Sequence, residues 1–159
     1  MKNNSWMGLV LGDAGMAPGS DMIQIMANGV NSRVYDKFSQ GYISPPEDSK
    51  DNINTESTFR FFDDDFIRFT LVRDLDTGDA DKDFLIPVEQ EFDLGWAVLT
   101  DSSNLLSKHS DAGGLRALIL SDGTNSFGIG GAAPDGAEYL THAATSSAIL
   151  VTLLTLATL

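Results

Sequence analysis

The sequence predicts an all-β fold, an antiparallel β-sandwich followed by a hydrophobic carboxyl-terminal tail. Three observations carry that expectation. Apolar runs of strand length are separated by Gly, Pro, Asn and Asp. No apolar repeat of helical period occurs before the carboxyl end. In Phe66 to Arg73, Ile67, Phe69 and Leu71 alternate with Arg68, Thr70 and Val72, a period of two that gives a sheet one packed and one partly wet face.

Taken in order, the expected strands are Trp6 to Leu11, Asp21 to Ala27, Ser32 to Tyr35, Thr58 to Phe62, Phe66 to Arg73, Leu85 to Val88, Trp96 to Thr100 and Leu115 to Ser121. The first is a Trp-led apolar run that ends at a Gly/Pro turn. In the second, Ile23 and Ile25 point to one face and Met22, Gln24 and Met26 to the other, with the Ile face the expected core. Gly41 to Glu56 holds Pro45-Pro46 among Asp, Asn and Ser, too polar to bury an element of its own, and reads as a long loop. Trp6 and Trp96 lie beside glycine in apolar strands and are expected to pack in the core, whereas Tyr35 and Tyr42 flank the long loop as exposed groups. Residues 6–122 thus form the sandwich, the Gly/Ala/Ser-rich 123–137 a flexible linker, and 138–159 the tail.

At 159 residues the chain can bury ~70% of its extended surface as one domain. Its 23 acidic against 10 basic residues give a net charge of −13, which repels phosphate backbones, so nucleic acid is not an expected partner. With no cysteine there is no disulfide framework, thiolate metal site or thiol catalysis. The motifs G-x-S-x-G, H-E-x-x-H and G-x-x-x-x-G-K-[ST] are all missing, and a stand-alone enzyme is not expected. The start M-K-N-N-S-W has no apolar stretch of about 7–15 residues behind it and does not read as a signal peptide.

Five segments recur in a particular order: W-M-G-L-V-L-G-D-A-G-M-A-P-G-S-D from Trp6, R-V-Y-D from Arg33, R-D-L-D-T-G-D-A-D-K-D-F from Arg73, G-W-A-V-L from Gly95 and K-H-S-D-A-G-G from Lys108. In this order the chain resembles the DOMON domain, the extracellular β-sandwich of dopamine β-hydroxylase-like proteins and of haem-binding cell-surface cytochromes. The resemblance implies an extracellular, cell-surface protein whose first strands and signal peptide precede this record. It also implies a site. Met16 falls where those cytochromes carry a Met ligand, and His109 where they carry a His before a late strand. Met16 and His109 are therefore the candidate axial ligands of a haem b iron, with Met22 as the alternative sulfur. A thioether–imidazole pair raises the potential and suits electron transfer.

The acidic segment Asp74 to Asp83 fails the EF-hand spacing test, since neither Asp74 nor Asp79 as first position brings a glycine to position 6. It offers instead a possible calcium site of another kind, with Asp76, Asp79, Asp81 and Asp83 as candidate ligands, or a solvated turn. Arg73 and Asp76 are expected to fix a loop.

The tail admits three readings: a glycolipid-anchor signal with small residues at Gly136-Ala137, a spacer 138–147 and an apolar end 148–159; the opening of a transmembrane helix; or a helix packed on the sandwich. The first two attach the protein to a membrane. His142, just before the apolar end, is given no role. The leading expectation is an extracellular haem module that passes single electrons to a membrane or diffusible redox partner. The alternative is a sugar- or partner-binding adhesion module without redox chemistry, to which the residue inserted at Pro18 and the exposed tyrosines point.

Overall fold

Ten strands make up the described part of the computed structural model, which covers residues 4–28, 31–54, 60–63, 66–100, 104, 107–120, 125–129 and 148–152. They are β1 (Ser5–Leu11), β2 (Asp21–Ala27), β3 (Arg33–Phe38), β4 (Ile53–Asn54), β5 (Arg60–Asp63), β6 (Phe66–Asp74), β7 (Phe92–Leu99), β8 (Asp111–Ile119), β9 (Asn125–Ile129) and β10 (Ala148–Thr152). A six-stranded sheet runs β3-β2-β1-β7-β8-β9 and a second sheet β10-β6-β4, with β5 also paired to β6. All pairings are antiparallel. The described residues contain no α-helix, and the fold is the all-β sandwich that the sequence predicts.

The core lies between the sheets. Met7, Leu9, Leu11, Ile23, Ile25, Leu94 and Phe92 of the larger sheet meet Ile53 and Leu71 of the smaller one and Ile86 of a connecting segment. The alternation in β2 falls as the sequence predicts, with Ile23 and Ile25 in that core. Gly113 makes room for Trp96, because a Cβ there would come within 2.8 Å of the indole ring.

Several elements differ from expectation. Leu85 to Val88 is not a strand: Pro87 lacks a ladder donor, only Ile86 turns inward, and Leu85 and Val88 are exposed. β8 begins at Asp111 rather than Leu115, its Gly113-Gly114 pair accommodated by Trp96 and Ala14 above it. Inside the expected long loop, Ile53–Asn54 pair with Arg73 and Val72, and Glu47 bridges Lys37. Within 123–137, Asn125–Ile129 pair with β8, whose edge would otherwise leave its backbone groups unpaired. In the tail, Ala148–Thr152 pair with Thr70–Asp74 of β6, an extended conformation that replaces the packed helix there. His142 and the remaining tail positions lie outside the described residues.

Candidate functional site

Strand register assigns the outer face of the large sheet. Gly8 faces Ala97, which faces Ala112, and Val10 faces Gly95, which faces Gly114. Opposed residues share a face, so these six residues, all Gly or Ala except Val10, form one floor on the side away from the core. Met22 and Met26 of β2 border it beside Val10 and Trp6. Met22 is buried there, on the face expected from the alternation.

The 12–20 loop closes one end of this floor. Gly12 adopts φ +76° directly beneath Phe84, where a Cβ would come within 2.3 Å of the ring, and its amide donates to Asp93 O. The Asp13 carboxylate accepts the Gly15 amide at 3.1 Å. The chain then passes over the floor, with the backbone of Asp13 and Ala14 3.1 Å from where a Gly95 Cβ would stand. Met16 follows two residues later, half-buried.

The other end is closed by Trp6 and His109. The Trp6 indole Nε1 donates to Ser107 O at 3.3 Å, and the half-buried His109 ring stands edge-on to it, centroids 6.5 Å apart at 87°. Trp6 is opposite Leu99 in the ladder, whereas the Ala14 crossing lies at Gly95. Four strand steps separate these levels, about 13 Å at ~3.4 Å per residue. The Met16 loop and the His109 loop thus reach one face of the sheet from opposite ends. The floor carries no bulky side chain of its own, but the Trp6 ring lies over Gly8 and Ala14 lies over Gly95 and Gly114, so a haem placed there would have to displace one of them.

A second, buried group of charges lies at the sheet–sheet boundary beside the 12–20 loop. Arg73 of β6, buried, pairs with Asp21 Oδ2 of β2 at 2.5 Å and lies 3.7 Å from Asp83 Oδ2. Its guanidinium also donates to Phe84 O and Asp74 O, and Asp21 Oδ2 accepts the Phe84 amide at 2.9 Å. Asp36 of β3 accepts the Asn52 amide at 2.7 Å, and the Asn52 side chain donates to Asp83 at 2.6 Å. Oxygens of Asp21, Asp36 and Asp83 lie within 4.8 Å of one another. Burial raises Asp21 from 3.8 to about 6 despite the pull of Arg73 and the Phe84 amide, and Asp83 and Asp48 push it further up. Burial likewise raises Asp36 to about 7 against the Asn52 amide, with Asp83 and Asp21 adding to the rise.

Of the four candidate calcium ligands in the acidic segment, only Asp83 joins this group. Asp76 accepts the Gly78 amide and shapes its own turn, Asp79 pairs with Lys50 at 3.0 Å, and Asp81 is exposed. Sequence reasoning missed Asp21 and Asp36, which the strand order brings from β2 and β3. A readable signal was present, since Asp21 shares its face of β2 with Ile23 and Ile25, and Asp36 shares its face of β3 with Val34. Arg73 does fix a loop, by holding Phe84 and Asp74.

Comparison with protein-family models matches residues 1–99 to the DOMON domain. Searches of curated proteins and of solved structures find no match.

Proposed function

Because this chain belongs to the DOMON domain family, we propose that it is an extracellular, cell-surface module that binds haem b through Met16 and His109 and passes single electrons to a membrane or diffusible redox partner. The observation that supports this reading is that the loop leading to Met16 crosses the Gly95/Gly114 end, and Trp6 with His109 stands at the Leu99 end, of one small-residue face of the large sheet. When bound, haem supplies a one-electron couple whose potential a thioether ligand raises. Trp6 orients the His109 ring by its edge contact and anchors the preceding loop through Ser107. Gly12 and Asp13 fix the entry of the loop that carries Met16, and Met22 lines the floor as a second sulfur. The charge of −13 favours a redox partner with a basic docking surface. Membrane attachment through residues 138–159, also proposed, requires Ala148–Thr152 to leave their pairing with β6. Titration of the full chain with haemin tests the reading: saturation at one haem per chain with a sharp Soret band supports it, and a spectrum like that of free haem opposes it.

A second reading, sugar or partner binding without redox chemistry, is favoured by one observation. Tyr42 is 94% exposed beside an exposed Ile43, an aromatic group free to stack on a sugar face. Glycan binding that Tyr42→Ala abolishes, in protein that takes up no haem, would select it.

A further inference from the structure

We propose that Asp21, Asp36 and Asp83 form a binding site for a divalent cation of the calcium class, which ties β2, β3 and the 80–84 loop together beneath the Met16 loop. Three carboxylates meet one guanidinium here, so with all three ionised two negative charges would stand uncompensated in a buried place, a balance that a single divalent cation neutralises. Their oxygens lie within 4.8 Å of one another, so one ion at the ~2.3–2.6 Å bonding distance of calcium can touch all three.

A separate observation points to a ligand. Asp21 is 2% exposed and Asp36 4% exposed, yet Oδ1 of each is buried without a hydrogen-bond partner among the described residues, while Oδ2 of each is engaged by the protein. Buried carboxylate oxygens are rarely left unpaired, and each asks for a proton donor or a cation. Arg73 does not serve both: its two NH2 groups go to Asp21 Oδ2, Phe84 O and Asp74 O, and its Nε makes no hydrogen bond to either Oδ1. All-oxygen donors select a hard ion over zinc or copper.

There is also an entrance. A cleft of about 310 Å³ opens between the 12–20 loop and residues 80–84 and reaches both Asp21 and Asp83. Asp13 and Asp81 line it and give its mouth a negative field. Lys82, also at the cleft, is held by Asp48 at 2.8 Å.

The test uses the full chain, stripped with a chelator, and calcium chloride as the only added ligand. Isothermal titration should show one calcium per chain and calcium should raise the melting temperature. Asp36→Asn and Asp83→Asn, which keep side-chain size, should each weaken uptake about tenfold or more. Asp76→Asn and Asp81→Asn should leave it unchanged. Absence of calcium uptake by folded, stripped protein would overturn the proposal, as would uptake lost in Asp76→Asn or Asp81→Asn but retained in the Asp36 and Asp83 variants. Should those two variants fail to fold, a calcium-dependent melting temperature in the stripped wild-type chain, reversed by chelator, still supports the site, and its absence still opposes it. Neither readout involves haem, so the result is independent of the redox reading.

Discussion

Arg73 and Asp21 join the two sheets through the interior: the guanidinium on β6 and the carboxylate on β2 meet at 2.5 Å, both almost wholly buried. The same Asp21 oxygen takes the Phe84 amide, so one carboxylate holds a strand of each sheet and the 80s loop. Removing one partner leaves the other charge buried. Arg73→Met should therefore destabilise by about 3–5 kcal/mol, whereas the double change Arg73→Met/Asp21→Leu should recover much of that loss. Urea unfolding of Arg73→Met, Asp21→Leu and the double variant measures the coupling, and strictly additive losses would contradict it.

Stability without calcium should fall as pH rises from about 4 to 7. Asp21 and Asp36 have folded pKa values near 6 and 7, raised by burial, against an ordinary 3.8. In that window the folded chain holds more protons than the unfolded one, and the Asp83, Asp48 and Arg73 charges facing the pair are included in those values. Their contribution is fully present below the unfolded value and is lost as pH passes the folded one. Thermal unfolding of the stripped protein across that range checks the sign. Asp36→Asn should flatten the slope, and an equally steep slope in that variant would contradict the assignment.

Glycine geometry gives a third expectation. At Gly12 a Cβ would meet the Phe84 ring at 2.3 Å and φ is +76°, so Gly12→Ala combines a clash with a left-handed backbone and should cost about 2–4 kcal/mol. Gly78, also at positive φ but with open space around it, should lose only about 1 kcal/mol on the same change. Chemical denaturation of the pair checks the ordering, which reverses if loop packing at Phe84 is weak.

The periodicity of the chain made β1, β2 and β6 readable through apolar positions such as Met7, Leu9, Leu11, Ile23, Ile25 and Leu71, whereas the charges of Asp21 and Arg73 on the same faces gave no such signal. β8 was only half legible because Gly113 and Gly114 have no strand preference of their own and extend only under Trp96 and Ala14. The ends of the haem candidate, Met16 and His109, were legible only through family resemblance. Nothing local in the sequence announces that their loops reach one face; that follows from β1 pairing with β7. The Asp21–Asp36–Asp83 group was hidden for a similar reason, because its members lie on separate elements and only the strand order brings them together.

Trp6 offers a check on the His109 end. Trp6→Leu removes both the Ser107 hydrogen bond and the edge contact with His109. It should weaken haem affinity about tenfold or more while leaving His109 present, as expected when a residue orienting a ligand is lost. Equilibrium haemin binding measures this, and unchanged affinity would remove Trp6 from the site.

The measurement that bears most directly on the haem reading is the reduced absorption spectrum of the full chain with haem, taken beside those of Met16→Ala and His109→Ala. The account predicts resolved low-spin α and β bands in the wild type and their loss in each variant, with circular dichroism showing that both remain folded. Identical low-spin spectra in all three proteins would contradict it.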